Sequence, residues 1–214
     1  MQSRIDGNGG FIDQGRTQTM TQKCSSVVLA FPPTVSNLKG ANLDLTPQEE
    51  TTFGPLGVNS YFTGAVRMDT PYGLLFRVTT PNPITPPVSA GEPVRFFKVH
   101  NDSDIATTYS WGPYRGGLTY DNARTLLTMT LSRVNKDPRD SSAKPQSVTN
   151  TDVLTFREWD YFPHFDPAEL AHGWYDKFNA VQGTQKTFYI SGLNGFETVE
   201  FALRAAIDVV DTYY

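Results

Sequence analysis

The chain has 214 residues, 38% hydrophobic and 13% aromatic, which suits one large domain or two small ones and excludes global disorder. A net charge of −4 offers no basic face of the kind nucleic-acid binding needs, and the single Cys24 excludes an intrachain disulfide. No apolar run approaches the ~20 residues of a membrane span, and the polar opening holds no signal-peptide core, so the expectation is a soluble, cytoplasmic protein.

In chain order, residues 1–23 read as an irregular start followed by a strand or hairpin. The run SSVVLAF (25–31) is nearly continuously apolar, as in a strand covered on both faces, and Pro32 and Pro33 end it. LTPQEETTFGPLG predicts a helix, with Thr46 as N-cap, Pro47 at the first helical position and acids in the first turn. SYFTGAVRM, GLLFRVTT and PVRFFKVH read as strands, and the proline-rich TPNPITPPVSAGEP as a loop between the last two. IATTYSWGPY predicts another strand, TLLTMTLSRV a strand or a helix, and KDPRDSSAKPQ a polar loop. TNTDVLTFREWDYFPHF reads as a short helix running into an aromatic strand. DPAELAHGWYDKFNAVQG predicts one helix capped by Asp166, with Pro167 at its first position, and stopped by Gly183. A buried strand, a turn and an amphipathic helix over 188–210 close the chain.

The pattern is nested: a first strand and a last strand–helix bracket a strand-rich middle. The expected domains are 1–33 with 184–214, and 34–183. Within REWDYFPHFD, alternation puts Glu158, Asp160 and Phe162 on one strand face and Arg157, Trp159 and Tyr161 on the other. A carboxylate among aromatic walls has its pKa raised toward the range useful for proton transfer; surface ion pairs beside a core Trp and Phe are the plainer alternative. His164, after a proline at a strand end, reads as a general base or a structural donor. His100 and His172 lie on other segments, with no metal-ligand spacing, so no metal is expected.

CSSVVLAFPP, REWDYFPHF, GWYDKFNAVQG and TFYISGLNGFETVEFALRAAIDVV together resemble the C-terminal half of the flavin-dependent amine oxidase superfamily. The nearest groups are fungal oxidoreductases similar to beta-cyclopiazonate dehydrogenase and bacterial polyunsaturated fatty acid double-bond isomerases. The resemblance implies an α+β fold: a substrate-binding domain with a mixed or antiparallel sheet and flanking helices, attached to a remnant of an FAD-binding domain. It also implies that the middle sheet lines a substrate cavity, with Tyr61, Tyr109, Trp111, Tyr114 and Tyr161 against an apolar ligand, although an ordinary core accounts for these aromatics as well. Arg67 is then an anion anchor or a plain salt-bridge partner, and Asp160, His164 and Glu197 are the acid–base candidates. The flavin-facing positions carried over are Asn194, Gly195, Phe196, Glu197, Thr198 and Val199.

A dinucleotide half needs a glycine fingerprint between a strand and a helix, and DGNGGF (6–11) has neither around it. The chain is therefore expected to hold no FAD, unless the dinucleotide-binding half comes from another chain. If Met1 is the native start, it reads as a truncated homologue. The expected function is cofactor-independent isomerisation or cyclisation of an apolar small molecule, such as a secondary metabolite. The alternatives are an FAD-dependent oxidoreductase or isomerase completed by another chain, and a non-catalytic scaffolding subunit. Sheet and helix remnants predict a homo- or hetero-oligomer.

Overall fold

The computed structural model describes residues 22–77, 90–196 and 198–214 in full, and before them the backbone of β1 (Arg4–Ile5), β2 (Phe11–Asp13) and β3 (Arg16–Gln18), an antiparallel meander. The glycines of DGNGGF and most of the proline-rich loop lie outside the described residues. Then follow β4 (Val27–Leu29), α1 (Val35–Gly40), α2 (Pro47–Phe53), β5 (Gly57–Arg67), β6 (Leu75–Arg77), β7 (Arg95–Lys98) and β8 (Ile105–Gly112). The remainder is α3 (Tyr120–Val134), β9 (Val153–His164), α4 (Pro167–Ala171), α5 (Trp174–Val181), β10 (Thr187–Tyr189) and α6 (Val199–Tyr213). Two compact units result: Met1–Gly57 with Pro163–Tyr214, and Val58–Phe162.

In the first unit β4 pairs in parallel with β10, Val28 opposite Phe188. Helices α1, α2 and α5 supply Leu38, Phe53, Trp174, Phe178 and Val181 to a core that Leu56 and, from β10, Tyr189 complete. The strand over 25–31 was expected to be covered on both faces. Only Leu29 is buried, while Val27 and Val28 are exposed; its partner β10 is buried at all three positions, so the cover falls on β10 and not on β4. The helix expected over 166–183 breaks in two at Gly173, whose φ of 71° places it in the left-handed region. Without a Cβ it turns the chain between α4 and α5.

Helix α2 starts as its sequence predicts. Thr46 Oγ1 accepts from the Glu49 N–H at 3.2 Å, and Glu49 Oε2 accepts from the Thr46 N–H at 2.8 Å, a reciprocal capping box. Thr46→Ala removes one half of it and should cost about 1 kcal/mol in a denaturant melt. No loss would mean that the buried Glu49 alone holds the helix start.

The second unit is a five-stranded sheet in the order β6-β7-β8-β5-β9, with β5 antiparallel to β8, β8 to β7 and β7 to β6. Phe62, Val66, Phe96, Ala106 and Phe156 turn one face toward α3, which answers with Ala123, Leu127 and Leu131. That four-residue spacing makes TLLTMTLSRV a helix despite its threonines. The Thr125, Thr128 and Ser132 hydroxyls donate back to the carbonyls of Asp121, Thr125 and Thr128, so the helix satisfies them itself.

Residues 149–152 form a turn where the sequence predicts a short helix. The Asp152 carboxylate accepts from the Thr149 N–H and hydroxyl, both at 2.7 Å. Those bonds, the backbone one foremost, hold its carboxyl below the usual range, and the Asp152 N–H donates back to the Thr149 carbonyl at 3.1 Å, closing the turn.

Candidate functional site

Because α3 covers one face of the sheet, the side chains that alternate away from it are left to form the other. In β5 and β8 the register places Tyr61 opposite Trp111 and Thr63 opposite Tyr109, so all four share that face. β9 lies beside β5, and its Tyr161 ring sits 4.8 Å from that of Tyr61, which is itself 6.0 Å from Tyr109. The Trp159 indole N–H donates to Thr63 Oγ1 at 2.9 Å, tying the ring to β5. Trp111, Trp159 and Tyr161 stay 46%, 54% and 38% exposed. The outcome is an aromatic face, open to ligand, over a rigid sheet.

Burial, and after it the neighbouring Tyr109 and Tyr161, pushes the Tyr61 phenol above its ordinary range. At neutral pH it is a neutral hydroxyl that can both donate and accept. The face therefore offers aromatic area with a few phenolic handles, a combination that suits a largely apolar ligand.

The other expected substrate-binding residues fall at the margins of this face. Arg67 ends β5, exposed and 3.6 Å from Asp104, so its guanidinium is already paired. Tyr114 lies beyond β8, its N–H bonded to Asn59 Oδ1 at 3.0 Å, with the Arg115 guanidinium 4.7 Å over its ring. Trp159, a core tryptophan in the plainer of the two sequence readings, is instead exposed on the edge strand β9. Alternation with Tyr161 was the signal for it, but only the one-sided placement of α3 makes that side open.

Among the acid–base candidates, Asp160 alternates to the opposite side of β9 from Trp159 and Tyr161 and is exposed. His164 ends β9, half-buried, in the other unit. Glu197 lies outside the described residues. Among the described residues no three His, Cys, Asp or Glu side chains converge as a metal site, and no helix is long and apolar enough to cross a membrane.

The positions carried over as flavin-facing lie in the first unit. Asn194 is committed locally: its Oδ1 accepts from the Ser191 N–H at 2.9 Å and its Nδ2 donates to the Tyr189 carbonyl at 3.4 Å. Gly195 permits a close approach, since a Cβ there would lie 2.9 Å from Phe201 Cδ1. Thr198 caps α6 by accepting from the Phe201 N–H at 3.3 Å, and Phe196 and Val199 are exposed.

No protein-family description matches the sequence. An uncharacterized protein of Acanthamoeba polyphaga mimivirus is 26% identical over 215 residues, covering 94% of this chain. This chain spans only 39% of the length of that relative. Among solved structures, the CLA-producing fatty acid isomerase from P. acnes superposes with a TM-score of 0.69 at 18% identity, over 99% of this chain and 46% of that one. The chain thus has part of a flavin amine oxidase-like fold, α+β with an antiparallel sheet and flanking helices.

Proposed function

We propose that the chain supplies the substrate-contacting part of an oxidoreductase- or isomerase-type enzyme acting on an apolar small molecule. The observation that carries this reading is the aromatic face of Tyr61, Tyr109, Trp111, Trp159 and Tyr161, held by strand register and left uncovered. A fatty acyl chain is the first substrate class, by analogy of fold with the fatty acid isomerase; a cyclic secondary metabolite is the other. The chemistry asked of this chain's own residues is orientation and water exclusion, with the Tyr61 hydroxyl as a neutral hydrogen-bonding group.

A flavin fits the described residues at one place. The first amides of an α-helix lack intrahelical acceptors, and the start of α6 could hold the electron-rich edge of an isoalloxazine through Val199 and Glu200. The asparagine side chain before it is spent, and no described residue provides a pyrophosphate cradle. When bound, a flavin would supply hydride chemistry; here it would need another polypeptide segment to hold its dinucleotide. The open β4–β10 pair and the exposed Leu203, Ile207 and Val210 on α6 favour such a segment.

The test is titration of an unsaturated fatty acid, followed by protein fluorescence, with ultraviolet absorption reporting any conjugated diene formed. Tyr161→Ala and Trp159→Ala should each weaken binding about three- to tenfold, the worth of one aromatic contact. Unchanged affinity in both would remove the aromatic face from the site. The chain purified alone should show no flavin absorption band; stoichiometric flavin would replace the cofactor-free reading.

A further inference from the structure

We propose that the second unit carries a separate binding site for an amphipathic carboxylate, in the cavity beneath edge strand β6. The cavity measures about 330 Å³ and is walled by Leu74, Leu75, Phe76, Phe96 and Val134. It lies on the α3 side of the sheet, because Phe96 pairs with the buried Thr108 and Phe76 with Phe96. The aromatic face described above is on the other side.

Among the described residues, the polar lining of this cavity is Thr70, Arg133 and Lys136, with no carboxylate. Thr70 is 5% exposed, and its Oγ1 is buried without a hydrogen-bond partner. A buried hydroxyl left unpaired is costly, so its retention needs a reason. A hydrogen bond holds the two donor-bearing segments side by side. Asn135 Oδ1 accepts from the Asp69 N–H at 2.7 Å, which ties the residue before Thr70 to the residue between Arg133 and Lys136.

Arg133 forms no ion pair among the described residues. Lys136 gives one of its protons to the Ala143 carbonyl at 3.3 Å and keeps others to donate. The end of a helix carries roughly half a negative charge. Two full cations beside the end of α3 exceed that half charge, and of the neighbouring acids Asp137 is paired with Arg139 and Asp69 is exposed, so the lining suits an anion. Leu75, Phe76 and Phe96 form an apolar wall that takes a hydrocarbon chain. An acceptor head that draws on Thr70, Arg133 and Lys136, with an alkyl body against that wall, fills both halves of the lining. A volume at the lower end of small-molecule sites suits a medium chain and not a long one.

The experiment titrates decanoate and decanol into a chain carrying Trp159→Ala and Tyr161→Ala together, in which binding at the aromatic face is weakened twice over. Decanoate should saturate and bind about tenfold more tightly than decanol, as a charge-assisted head contact requires. Thr70→Val should weaken decanoate about fivefold while leaving the melting temperature unchanged or higher, since it removes an orphaned hydroxyl. In Arg133→Gln with Lys136→Gln, the two ligands should bind alike. The proposal is overturned if decanoate does not bind, or if decanol matches it. It is equally overturned if Thr70→Val binds decanoate undiminished or the charge-free pair retains the preference. Loss of binding on the aromatic face in the earlier titration would leave this result unaffected.

Discussion

Replacing Trp174 with alanine should destabilise the unit of Met1–Gly57 and Pro163–Tyr214 by about 3–5 kcal/mol, the cost of deleting a fully buried large aromatic side chain. Trp174 is 1% exposed. Its ring lies 3.8 Å from Phe165 and 5.0 Å from Phe178, and Tyr175 meets it edge-on at 5.2 Å. Its indole N–H also donates to the Thr52 carbonyl at 2.7 Å, joining α5 to α2. Alanine therefore opens a cavity and strands a buried acceptor at once. Trp174→Phe separates the two effects: most of the packing returns, but the carbonyl stays unpaired, for a loss of about 1–3 kcal/mol. Urea denaturation followed by far-ultraviolet circular dichroism distinguishes the three chains. A loss below about 1 kcal/mol for Trp174→Ala would be incompatible with this packing.

Stability should also fall steeply in alkali, and Tyr189 should be responsible. Its hydroxyl donates to Glu49 Oε1 at 2.7 Å, and both residues are buried. Burial first, then that hydrogen bond and the Glu49 charge, hold the phenol far above its ordinary value of 10. The folded protein thus keeps a proton that the unfolded chain releases. A folded-state pKa raised in this way contributes stability that is complete below about pH 10 and declines as the pH rises past it. The steepest slope is about 1.4 kcal/mol per pH unit. Melting temperatures should be level up to that point and then drop. Tyr189→Phe should lower stability at neutral pH by about 1–3 kcal/mol, because Glu49 loses a donor, and should flatten the alkaline decline. Tyr61→Phe serves as the comparison: its phenol is also raised, but it is half-buried and screened, so the alkaline profile should change less. An alkaline decline that persists in Tyr189→Phe would assign it to other groups.

Local signals carried far in this chain. Thr46, Pro47 and Glu49 spell out the start of α2, since capping is a matter between residues three apart. Alternation in β9 separates Trp159 and Tyr161 from Asp160 without reference to any other strand. Where one segment has to meet another, the sequence is silent. Ser, Thr and Leu in α3 satisfy a strand or a helix alike until Phe62 and Phe156 present the surface that Ala123, Leu127 and Leu131 match. A single helix over 166–183 takes no account of Gly173, whose left-handed turn directly precedes Trp174, buried against Phe178. The exposure of Val28 depends on strands that are not its sequence neighbours. The cavity at Thr70 was hidden most deeply, because a hydrogen bond between Asp69 and Asn135 assembles it from distant segments.

The two faces of the five-stranded sheet answer to different demands. Phe62, Val66 and Ala106 are pressed against α3, where a methylene gained or lost propagates strain. Tyr109, Trp111 and Trp159 stand on the same backbone yet share few of those contacts, so exchanging them alters recognition at little cost to folding. Inheritance can therefore rework ligand preference on one side while purifying selection guards the other. Descendants of such a scaffold should diverge in chemistry well before they diverge in architecture.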